Sequence, residues 1–417
     1  MAKLSVNDLE VQGKRVFVRV DFNVPLEEKD GRMVITDETR IRETLSTLRL
    51  LISRGAKVIL ASHLGRPDGQ VVPSMSLAPV ATRLSELLGQ PVRFAAECVG
   101  DAANQAVAAM QPGDVTLLEN VRFHAGEEAN DPAFATQLAS LADIYVNDAF
   151  GTAHRAHAST EGVARIVAGR GGKAAAGLLI DRELKFLGDE LDHPTRPFVV
   201  ILGGAKVSDK IQVIDRLIEK ADVILIGGAM AYTFKLALGN KVGLSLVEKD
   251  KTDIALQALA KAKERGVQFV LPTDNIVATP VDSGKKDKKG RPKMDLTSPR
   301  VNSGDSIPDH EEGVDIGPAT AKNYAAILAS AKTVLWNGPM GIFEDPRFAE
   351  GTFAVAKAVA EATQKGAKSI IGGGDSVKAI NKAKLGDQVT FMSTGGGASL
   401  EFLEGQVLPG VAALQDK

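Results

Sequence analysis

An apolar segment that ends in two glycines and leads to two lysines constrains the fold of this chain most strongly. It reads FVVILGGAKVSDK and runs from Phe198 to Lys210. Five apolar residues closed by Gly-Gly are typical of a parallel strand buried on both faces. The residues that follow place apolar side chains at helical spacing. We therefore predict a strand, a glycine turn and a helix with Lys206 and Lys210 on one face of its first turns.

This strand–turn–helix unit also predicts an anion site. A helix start offers free backbone N–H groups, glycine lets the backbone approach a ligand closely, and two cations attract phosphate. The sequence contains no GxxxxGK[ST] motif, and no predicted strand ends in GxGxxG. The absence of these fingerprints excludes a P-loop and the usual dinucleotide turn, and it disfavours a dehydrogenase.

Predicted strands alternate with helical patterns along the whole chain, which indicates a parallel α/β architecture. The length of 417 residues and the 44% apolar content suit two domains, each with its own core. One amphipathic helix is predicted from Gly177 to Leu191, and the prolines at 194 and 197 follow it. Because proline interrupts regular structure, we expect the domain junction here.

Composition and charge exclude several classes of protein. A net charge of −2 argues against a surface devoted to nucleic acid or membrane. The single cysteine, Cys98, excludes an internal disulfide framework and fits a reducing cytosol, where it is expected to be a small buried residue. The N-terminal residues have no secretory apolar core, and no segment has the apolar length of a membrane span. We expect a cytoplasmic protein that binds neither nucleic acid nor membrane.

Arginines and histidines follow the predicted strands of the first half. Because parallel strands end at one edge of a sheet, these side chains are expected to converge there. Gathered like charges repel, so such a set suits a small, highly charged anion better than it suits stability. None of the histidines has a zinc-like spacing with cysteine. The converging set comprises Arg19, His63, Arg66, Arg122, His154, Arg155 and His157, with Arg40 close by.

The predicted strands of the second half end in glycine instead. Their ends read ILGGAK, LIGGAM, VLPTDN, LWNGPMG, IIGGGDS and MSTGGGA. Small residues on one edge leave room for a flat ring and for phosphates held by backbone N–H groups. Asp375 could ligate Mg²⁺, and Ser376 could cap a helix or bind a phosphate. Asn337 and Glu344 provide polar groups for a sugar or a phosphate.

Taken together, several long motifs resemble the phosphoglycerate kinase family. The similarity runs from about residue 4 to about residue 414, in the family's order and spacing. It implies two doubly wound, Rossmann-like α/β domains that face each other across a cleft. The domains would be residues 1–190 and 191–402, with residues 403–417 returning to the first. The motifs are RVDFNVP, SHLGRP, LLENVRFH, DAFGTAHRAH, ILGGAKVSDKI, LWNGPMGIFE, IIGGGDS and STGGGASLEFLEG.

The resemblance also implies which residues bind the two substrates. Those implied for 3-phosphoglycerate or 1,3-bisphosphoglycerate are Arg19, Asp21, Phe22, Asn23, Arg40, His63, Leu64, Gly65, Arg66, Arg122, His154, Arg155 and His157. Those implied for MgATP or MgADP are Lys206, Lys210, Gly228, Gly313, Asn337, Glu344, Gly373, Gly374, Asp375 and Ser376. Asp375 would hold Mg²⁺, and the implied catalytic residues are Arg40, Lys206, Gly374 and Gly397.

The implied reaction is the reversible transfer of a phosphoryl group between 1,3-bisphosphoglycerate and ADP, a step of glycolysis and gluconeogenesis. The acceptor carboxylate is ionised at neutral pH, so no general base is required. The family also implies a monomer and a cleft that closes by hinge bending. Candidate hinges are the Gly177–Leu191 helix and the Gly395–Leu400 segment.

Three positions or segments depart from the family's pattern. Ser376 stands where many relatives have threonine, which keeps the hydroxyl group. Glu311 and Glu312 precede Gly313 where many relatives have apolar residues. The lysine-rich segment 285–293 is unusual and is expected to be a solvated surface loop.

Two other functions fit part of the pattern. Another acyl-phosphate or carboxylate kinase would keep the glycine loops, but it would not require so many arginines around a second phosphate. A nucleotide- or anion-responsive binding protein would bind MgADP without turnover. The second alternative leaves Asp375 and the basic edge without a shared purpose.

Overall fold

The computed structural model describes residues 2–286 and 292–417. The middle of the lysine-rich segment therefore lies outside the described residues, and so do the side chains at positions 32, 285, 286, 292 and 293. The chain divides into two compact units. Unit 1 comprises Met1–Lys185 and Gln406–Lys417, and unit 2 comprises Phe186–Gly405.

Unit 1 is built on a six-stranded sheet in the order β5-β6-β4-β1-β7-β8, in which every neighbouring pair is parallel. The central strand β1 pairs Phe17 with Ile59 on one side and with Tyr145 on the other. Two further strands form a separate antiparallel hairpin. The strands are β1 (Arg15–Arg19), β2 (Leu26–Lys29), β3 (Arg32–Ile35), β4 (Lys57–Ala61), β5 (Val92–Ala95), β6 (Val115–Leu118), β7 (Ile144–Asn147) and β8 (Lys173–Ala176).

The helices of unit 1 bury one apolar face each. In α1, for example, Ile41, Leu48 and Leu51 are fully buried in the core formed with the sheet. Burial of each such side chain contributes about 1.5–3 kcal/mol. The helices are α1 (Thr39–Ser53), α2 (Ala78–Leu88), α3 (Gly100–Ala108), α4 (Ala125–Glu128), α5 (Pro132–Ser140), α6 (Val163–Gly169) and α7 (Leu178–Leu184).

The order of this sheet decides where the loops of unit 1 meet. Strands β6, β4, β1 and β7 are consecutive neighbours, so their carboxyl ends lie side by side. Arg19 is the last residue of β1, Arg40 lies in α1, and the segments that follow β4, β6 and β7 carry the other arginines and the histidines predicted to converge. The parallel sheet predicted for the first half is thus confirmed.

The C-terminal residues belong to unit 1. The backbone N–H of Leu4 donates to the carbonyl oxygen of Gln415 at 2.8 Å. The amide nitrogen of the Asn147 side chain donates to the carbonyl oxygen of Gly410 at 3.1 Å. Sequence-distant termini are therefore held on the same sheet, next to the end of β7.

Unit 2 is built on a second six-stranded parallel sheet, in the order β11-β10-β9-β17-β18-β19. The six glycine-rich or polar strand ends predicted from the sequence follow these six strands. Together the two sheets confirm the α/β class. The strands of this sheet are β9 (Phe198–Leu202), β10 (Val223–Ile226), β11 (Gln268–Val270), β17 (Thr333–Asn337), β18 (Lys368–Gly372) and β19 (Phe391–Met392).

Within the described part of unit 2, five further strands lie outside this sheet. An antiparallel three-stranded sheet has the order β15-β12-β16, and β13 pairs with β14. Their bounds are β12 (Asp274–Ala278), β13 (Pro280–Lys286), β14 (Pro292–Leu296), β15 (Arg300–Ser303) and β16 (Glu312–Ile316).

One helix of unit 2 begins later than the sequence predicted. Helix α9 begins at Ile211, with Lys210 at the position that caps it. The apolar spacing had predicted that Lys206 and Lys210 lie on the first turns of the helix. This prediction was wrong, because both lysines lie in the turn before the helix. The helices are α8 (Glu190–Asp192), α9 (Ile211–Ile218), α10 (Met230–Ala237), α11 (Thr252–Glu264), α12 (Pro318–Leu328), α13 (Glu350–Gln364), α14 (Gly374–Lys382) and α15 (Gly397–Leu403). A last short helix, α16 (Pro409–Ala412), lies in unit 1.

The helix predicted from Gly177 to Leu191 is present as three successive segments. These are α7, a π-helical turn at Lys185–Asp189, and α8. The boundary between the two units falls at the start of the π-helical turn. Among the described residues, no helix combines the length and the apolar composition that crossing a bilayer requires.

Candidate active site

A buried histidine marks the centre of the basic cluster in unit 1. The Nδ1 atom of His63 lies 3.3 Å from the Nη2 atom of Arg19. Burial lowers the pKa of His63 well below its usual value, and the positive charges of Arg19, Arg122, Arg40 and Arg155 lower it further. Four of the predicted arginines therefore lie within electrostatic range of one imidazole, and Arg66 is not among them.

Arg19 is held in place by a buried hydrogen-bonded chain. Its Nε atom donates to the Ser159 hydroxyl at 2.7 Å, and that hydroxyl donates to a Glu127 carboxylate oxygen at 2.6 Å. The backbone N–H of Ser159 donates to the other oxygen of Glu127 at 2.9 Å. Burial raises the pKa of Glu127 above its usual value. The sequence analysis missed Glu127 and Ser159, because they lie outside the strand-end motifs.

The loop after β4 is fixed from two sides. A carbonyl oxygen of this loop, that of Gly65, accepts a hydrogen bond from the Nη1 atom of Arg122 at 2.8 Å. The backbone N–H of Gly65 donates to the side-chain oxygen of Asn23 at 2.9 Å. The Asn120 side chain bonds both backbone groups of Leu64, at 3.2 and 2.7 Å. Asn120 is a further positioning residue that sequence reasoning missed.

Asp21 and Arg40 form an ion pair at this edge. The Nη1 atom of Arg40 lies 2.8 Å from an Asp21 carboxylate oxygen, and the Arg40 side chain is 40% exposed. Phe22 is fully buried, and its backbone N–H donates to the Ser62 hydroxyl at 2.8 Å. Arg40 thus keeps a partly solvent-exposed guanidinium group, whereas the Phe22 side chain packs in the core beneath the loop that follows β1.

The loop after β7 adds three more of the predicted residues. The Nε atom of Arg155 donates to the Nε2 atom of His154 at 3.2 Å. Burial, with the charges of Arg122, Arg19 and Arg155, lowers the pKa of His157 to about 4. His157 is therefore neutral at neutral pH. Arg66, in the loop after β4, is exposed at the same edge.

The charges of this cluster do not balance. The cluster contains five arginines, whereas the carboxylates near them are the three of Asp21, Glu127 and Glu128. Asp21 pairs with Arg40, and Glu128 lies 3.1 Å from Arg122. Glu127 is buried with a raised pKa. A surplus of positive charge remains beside neutral histidines, which is the arrangement expected for a multiply charged anion.

Unit 2 contains a cavity of about 270 Å³ at the ends of its parallel strands. Of the predicted nucleotide residues, Gly228, Gly313, Glu344 and Asp375 line it. Its apolar walls include Tyr232, Leu246, Met340 and Ile342, which the sequence analysis missed. An apolar wall beside glycine loops can accept a flat ring.

The glycines around this cavity lie in close contact with neighbouring main-chain or side-chain atoms. A Cβ atom at Gly203 would lie 2.0 Å from the carbonyl oxygen of Pro339, and one at Gly228 would lie 2.4 Å from the nitrogen of Gly204. A Cβ atom at Gly313 would lie 1.9 Å from the Tyr232 hydroxyl. None of these three glycine positions has room for a side chain.

Lys210 faces a polar pocket formed by the loop after β17. Its ammonium nitrogen lies 2.7 Å from the backbone oxygen of Asn337 and 2.7 Å from the side-chain oxygen of the same residue. Burial lowers the pKa of Lys210 to about 8. Lys206, four residues earlier, is exposed. The two lysines therefore have different environments, which their spacing did not predict.

The start of α14 joins this group. Ser376 is fully buried, and its hydroxyl accepts a hydrogen bond from the backbone N–H of Gly338 at 2.6 Å. Gly373 has a φ of +84° and lies against the Asn337 side chain. Asp375 is 61% exposed and contacts Lys378 at 3.0 Å. Ser376 thus acts within the scaffold, whereas the Asp375 carboxylate faces solvent and the cavity.

The two predicted catalytic glycines open helices. Gly374 is the first residue of α14 and Gly397 the first of α15. The backbone N–H groups at such positions have no partner within their own helix. Both residues therefore lie where an N–H group is available to an anion.

The acidic residues before Gly313 have separate roles. Glu311 is buried, and its carboxylate lies 2.6 Å from the Nε atom of Arg300. Glu312 lines the cavity, and burial raises its pKa above the usual value. One of the two departures from the family's pattern is thus a structural ion pair, and the other is part of the cavity wall.

A larger groove of about 470 Å³ lies between α12 and α13. Its lining includes Pro318, Lys322, Glu350 and Lys357, and none of the predicted site residues. The smaller cavity is the one that brings the glycine loops together, so we take it as the candidate nucleotide site.

Comparisons with known proteins identify the family. The phosphoglycerate kinase family model matches residues 6–406. A phosphoglycerate kinase of Chlorobium luteolum is 55% identical over 415 residues, which cover 99% of this chain and all of the relative. One of Clostridium novyi is 54% identical over 417 residues, which cover all of this chain and 99% of the relative.

Solved structures give the same result. The phosphoglycerate kinase of Coxiella burnetii superposes with a TM-score of 0.84 at 41% identity, over 99% of this chain and 98% of that one. The enzyme of Pyrococcus horikoshii gives a TM-score of 0.78 at 33% identity, with the same coverage. Full-length similarity at this level assigns phosphoglycerate kinase activity, a phosphotransfer to a carboxyl acceptor. The chain belongs to the phosphoglycerate kinase family.

Proposed function

We propose that unit 1 binds 3-phosphoglycerate or 1,3-bisphosphoglycerate at the basic cluster, and that unit 2 binds ADP or ATP at the glycine-lined cavity. The observation that carries this proposal is the group of four guanidinium groups around the neutral His63. A site with that much positive charge suits a substrate that carries both a phosphate and a carboxylate.

In unit 1, some arginines would anchor the substrate and another would contact the phosphoryl group that is transferred. Arg66 is exposed, and Arg122 is buried and fixed to Gly65; both suit the non-reacting phosphate of the substrate. Arg40 remains 40% exposed beside Asp21, which suits contact with the transferring phosphoryl group. Arg19 is locked by Ser159 and contributes charge from a fixed position.

In unit 2, the cavity walls would contact the base of the nucleotide and the lysines would contact its phosphates. Tyr232, Leu246 and Ile342 would pack against the base, and the glycine loops would leave room for the phosphates. We assign Lys206, exposed in the turn before α9, to the transferring phosphoryl group. Lys210 would act on the nucleotide phosphates from its site beside Asn337.

A magnesium ion fits the donors at the start of α14. The Asp375 carboxylate is 61% exposed and lines the cavity together with Glu344, so it offers the hard oxygen ligand that Mg²⁺ prefers. We propose that Asp375 holds the ion that accompanies the nucleotide. Mg²⁺ bound there would neutralise part of the phosphate charge.

The mechanism needs alignment and charge neutralisation, and it needs no proton transfer. The acceptor carboxylate is already ionised at neutral pH, so no general base is required. Lys206, Arg40 and the backbone N–H groups of Gly374 and Gly397 would stabilise charge on the transferring group. The state of His63 is consistent with a mechanism that has no general base. Its lowered pKa keeps the imidazole neutral, and its Nδ1 atom faces Arg19.

The test is phosphorylation of 3-phosphoglycerate by MgATP, coupled to NADH oxidation through added glyceraldehyde-3-phosphate dehydrogenase. We expect turnover that requires both substrates and stops when EDTA removes the metal. Acetate and aspartate serve as control acceptors. Turnover with either control at the rate of 3-phosphoglycerate would contradict the assignment of the basic cluster to a phosphorylated acid.

Each proposed binding site is built from residues of a single unit, and the residues assigned to the transferring group all belong to the same chain. We accordingly propose that the protein acts as a monomer. Light scattering of the purified protein should give the mass of one 44.0 kDa chain, and a larger mass would refute this part of the proposal.

A further inference from the structure

Three side chains of metal-binding type lie together in unit 1. One potential ligand atom from each of Glu97, Cys98 and His124 falls within 4.8 Å of the other two. In the part of the chain that the structure describes, no other three histidine, cysteine or acidic residues are gathered in this way. None of the three belongs to the proposed substrate or nucleotide sites.

The topology of the sheet brings these residues together. Strand β5 ends at Ala95, just before Glu97 and Cys98, and its parallel neighbour β6 ends at Leu118. A single helical turn, Val121–Phe123, then leads to His124. The sequence spacing gave no sign of a metal site, because the histidine reaches the cysteine through the pairing of two strands.

Two of the three donor groups are already in contact, and the third lies close to them. The Oε1 atom of Glu97 lies 2.7 Å from the Nε2 atom of His124, and it accepts the backbone N–H of Cys98 at 2.7 Å. The His124 ring stacks on Phe134 with 5.0 Å between the ring centroids. The carboxylate and the imidazole are thus held next to the thiol before any ion is bound.

The site is closed on one side and open on the other. Cys98 is fully buried, whereas the side chains of His124 and Glu97 are 30% and 41% exposed. An ion can therefore enter from solvent past the imidazole and the carboxylate and reach the sulfur atom. A protein ligand set of three with one open face leaves a fourth position for water.

The chemistry of the donors selects the ion. Mg²⁺ prefers oxygen ligands, whereas a thiolate and an imidazole suit Zn²⁺. We propose that Glu97, Cys98 and His124 form a binding site for Zn²⁺, separate from the Mg²⁺ that accompanies the nucleotide. On binding, the Cys98 thiol loses its proton to solvent, and the proton between His124 Nε2 and the Glu97 carboxylate leaves Nε2 for solvent while the imidazole keeps a proton on Nδ1. The sulfur, one Glu97 oxygen and His124 Nε2 then each donate a lone pair to the ion.

The single cysteine makes the test specific. Co²⁺ is the probe, because it takes the place of Zn²⁺ in tetrahedral sites and gives a thiolate-to-cobalt charge-transfer band. Since the chain has one cysteine, any such band must come from Cys98. The full-length protein should develop this band with one equivalent of Co²⁺ in the presence of excess Mg²⁺, and added Zn²⁺ should remove it. Absence of the band at saturating Co²⁺ would overturn the proposal.

Three variants locate the ligands. Cys98→Ser should abolish the band, and Glu97→Gln or His124→Gln should weaken Zn²⁺ binding at least ~10-fold in competition with a chromophoric chelator. His193→Gln, which changes an exposed histidine of unit 2, is the matched control and should bind as the wild type does. Should Cys98→Ser fail to fold, the two partly exposed positions still decide the outcome. Wild-type affinity in Glu97→Gln and His124→Gln would show that Zn²⁺ binds elsewhere.

Discussion

The ammonium nitrogen of Lys210 and the side-chain oxygen of Asn337 are 2.7 Å apart, although 127 residues separate them along the chain. This contact places a buried cation at the end of the central strands of unit 2. Burial lowers the pKa of Lys210 to about 8. Its charge therefore changes within an accessible pH range.

The first prediction concerns nucleotide binding and pH. Above pH 8 Lys210 loses its proton and its attraction for phosphate, so the KM for MgADP should rise between pH 7 and pH 9. Lys210→Arg keeps its charge over this range and should show a flatter profile. Steady-state kinetics across the range provide the measurement, with Lys206→Arg as the control that retains the wild-type slope. An unchanged slope in Lys210→Arg would assign the titration to another group.

The second prediction concerns the exposed lysine. Lys206→Ala should lower kcat by roughly 10²–10³, the loss expected for one preorganised charge partner of the transition state. Because Lys206 is exposed in a turn, its removal should leave the thermal midpoint unchanged. Turnover and thermal unfolding should be measured on the same preparation. A wild-type kcat would refute the assigned role, and a lowered midpoint would show that lost folding accounts for part of the effect.

The third prediction separates the two substrates. Arg66→Ala should raise the KM for 3-phosphoglycerate by roughly 10- to 100-fold, because a charged hydrogen bond contributes about 1.5–3 kcal/mol. The KM for MgATP should not change. Arg165→Ala, which removes a 62% exposed arginine of unit 1, is the matched control. If the ATP KM rose instead, the assignment of the two substrates to the two units would be reversed.

The fourth prediction concerns acid stability. His157 has its pKa lowered to about 4, so the folded protein holds this side chain neutral while the unfolded chain protonates it below pH 6.5. The stabilisation is complete above pH 6.5, falls as the pH decreases, and is fully lost below about pH 4. One group with this shift contributes at most about 3 kcal/mol.

Urea unfolding between pH 7 and pH 4 measures this contribution. His157→Gln should show a shallower loss of unfolding free energy than the wild type, although His63 still contributes in the same direction. His193→Gln changes an exposed histidine and should keep the wild-type slope. Equal slopes in His157→Gln and the wild type would contradict the prediction.

The fold was predictable where periodicity and strand ends carried the signal. Buried runs such as Phe198–Leu202 identified the strands, and the rule that parallel strands end at one edge brought Arg19, His63 and Arg122 together. Both inferences depend on local sequence and on one general property of parallel sheets. Neither requires knowledge of side-chain packing.

The supporting contacts were not predictable, because they join residues that are distant in sequence. Arg19 is fixed by Ser159 and Glu127, which no motif connects. The start of α9 was placed too early, since the apolar spacing continues through the turn that carries Lys206. Tyr232, in the cavity wall, lies in α10 and belongs to none of the strand-end motifs.

The close packing of Gly203, Gly228 and Gly338 has a consequence for how such a site can vary. A Cβ atom at Gly338 would lie 2.2 Å from the carbonyl oxygen of Gly203, so the main chains of these two loops are in close contact. Peptide groups are the same whatever the residue, so a substitution at these glycines would displace the loops that border the cavity without adding a new functional group to it. If the cavity is the nucleotide site that we propose, variation in nucleotide preference is therefore expected at wall positions such as Leu246 and Ile342.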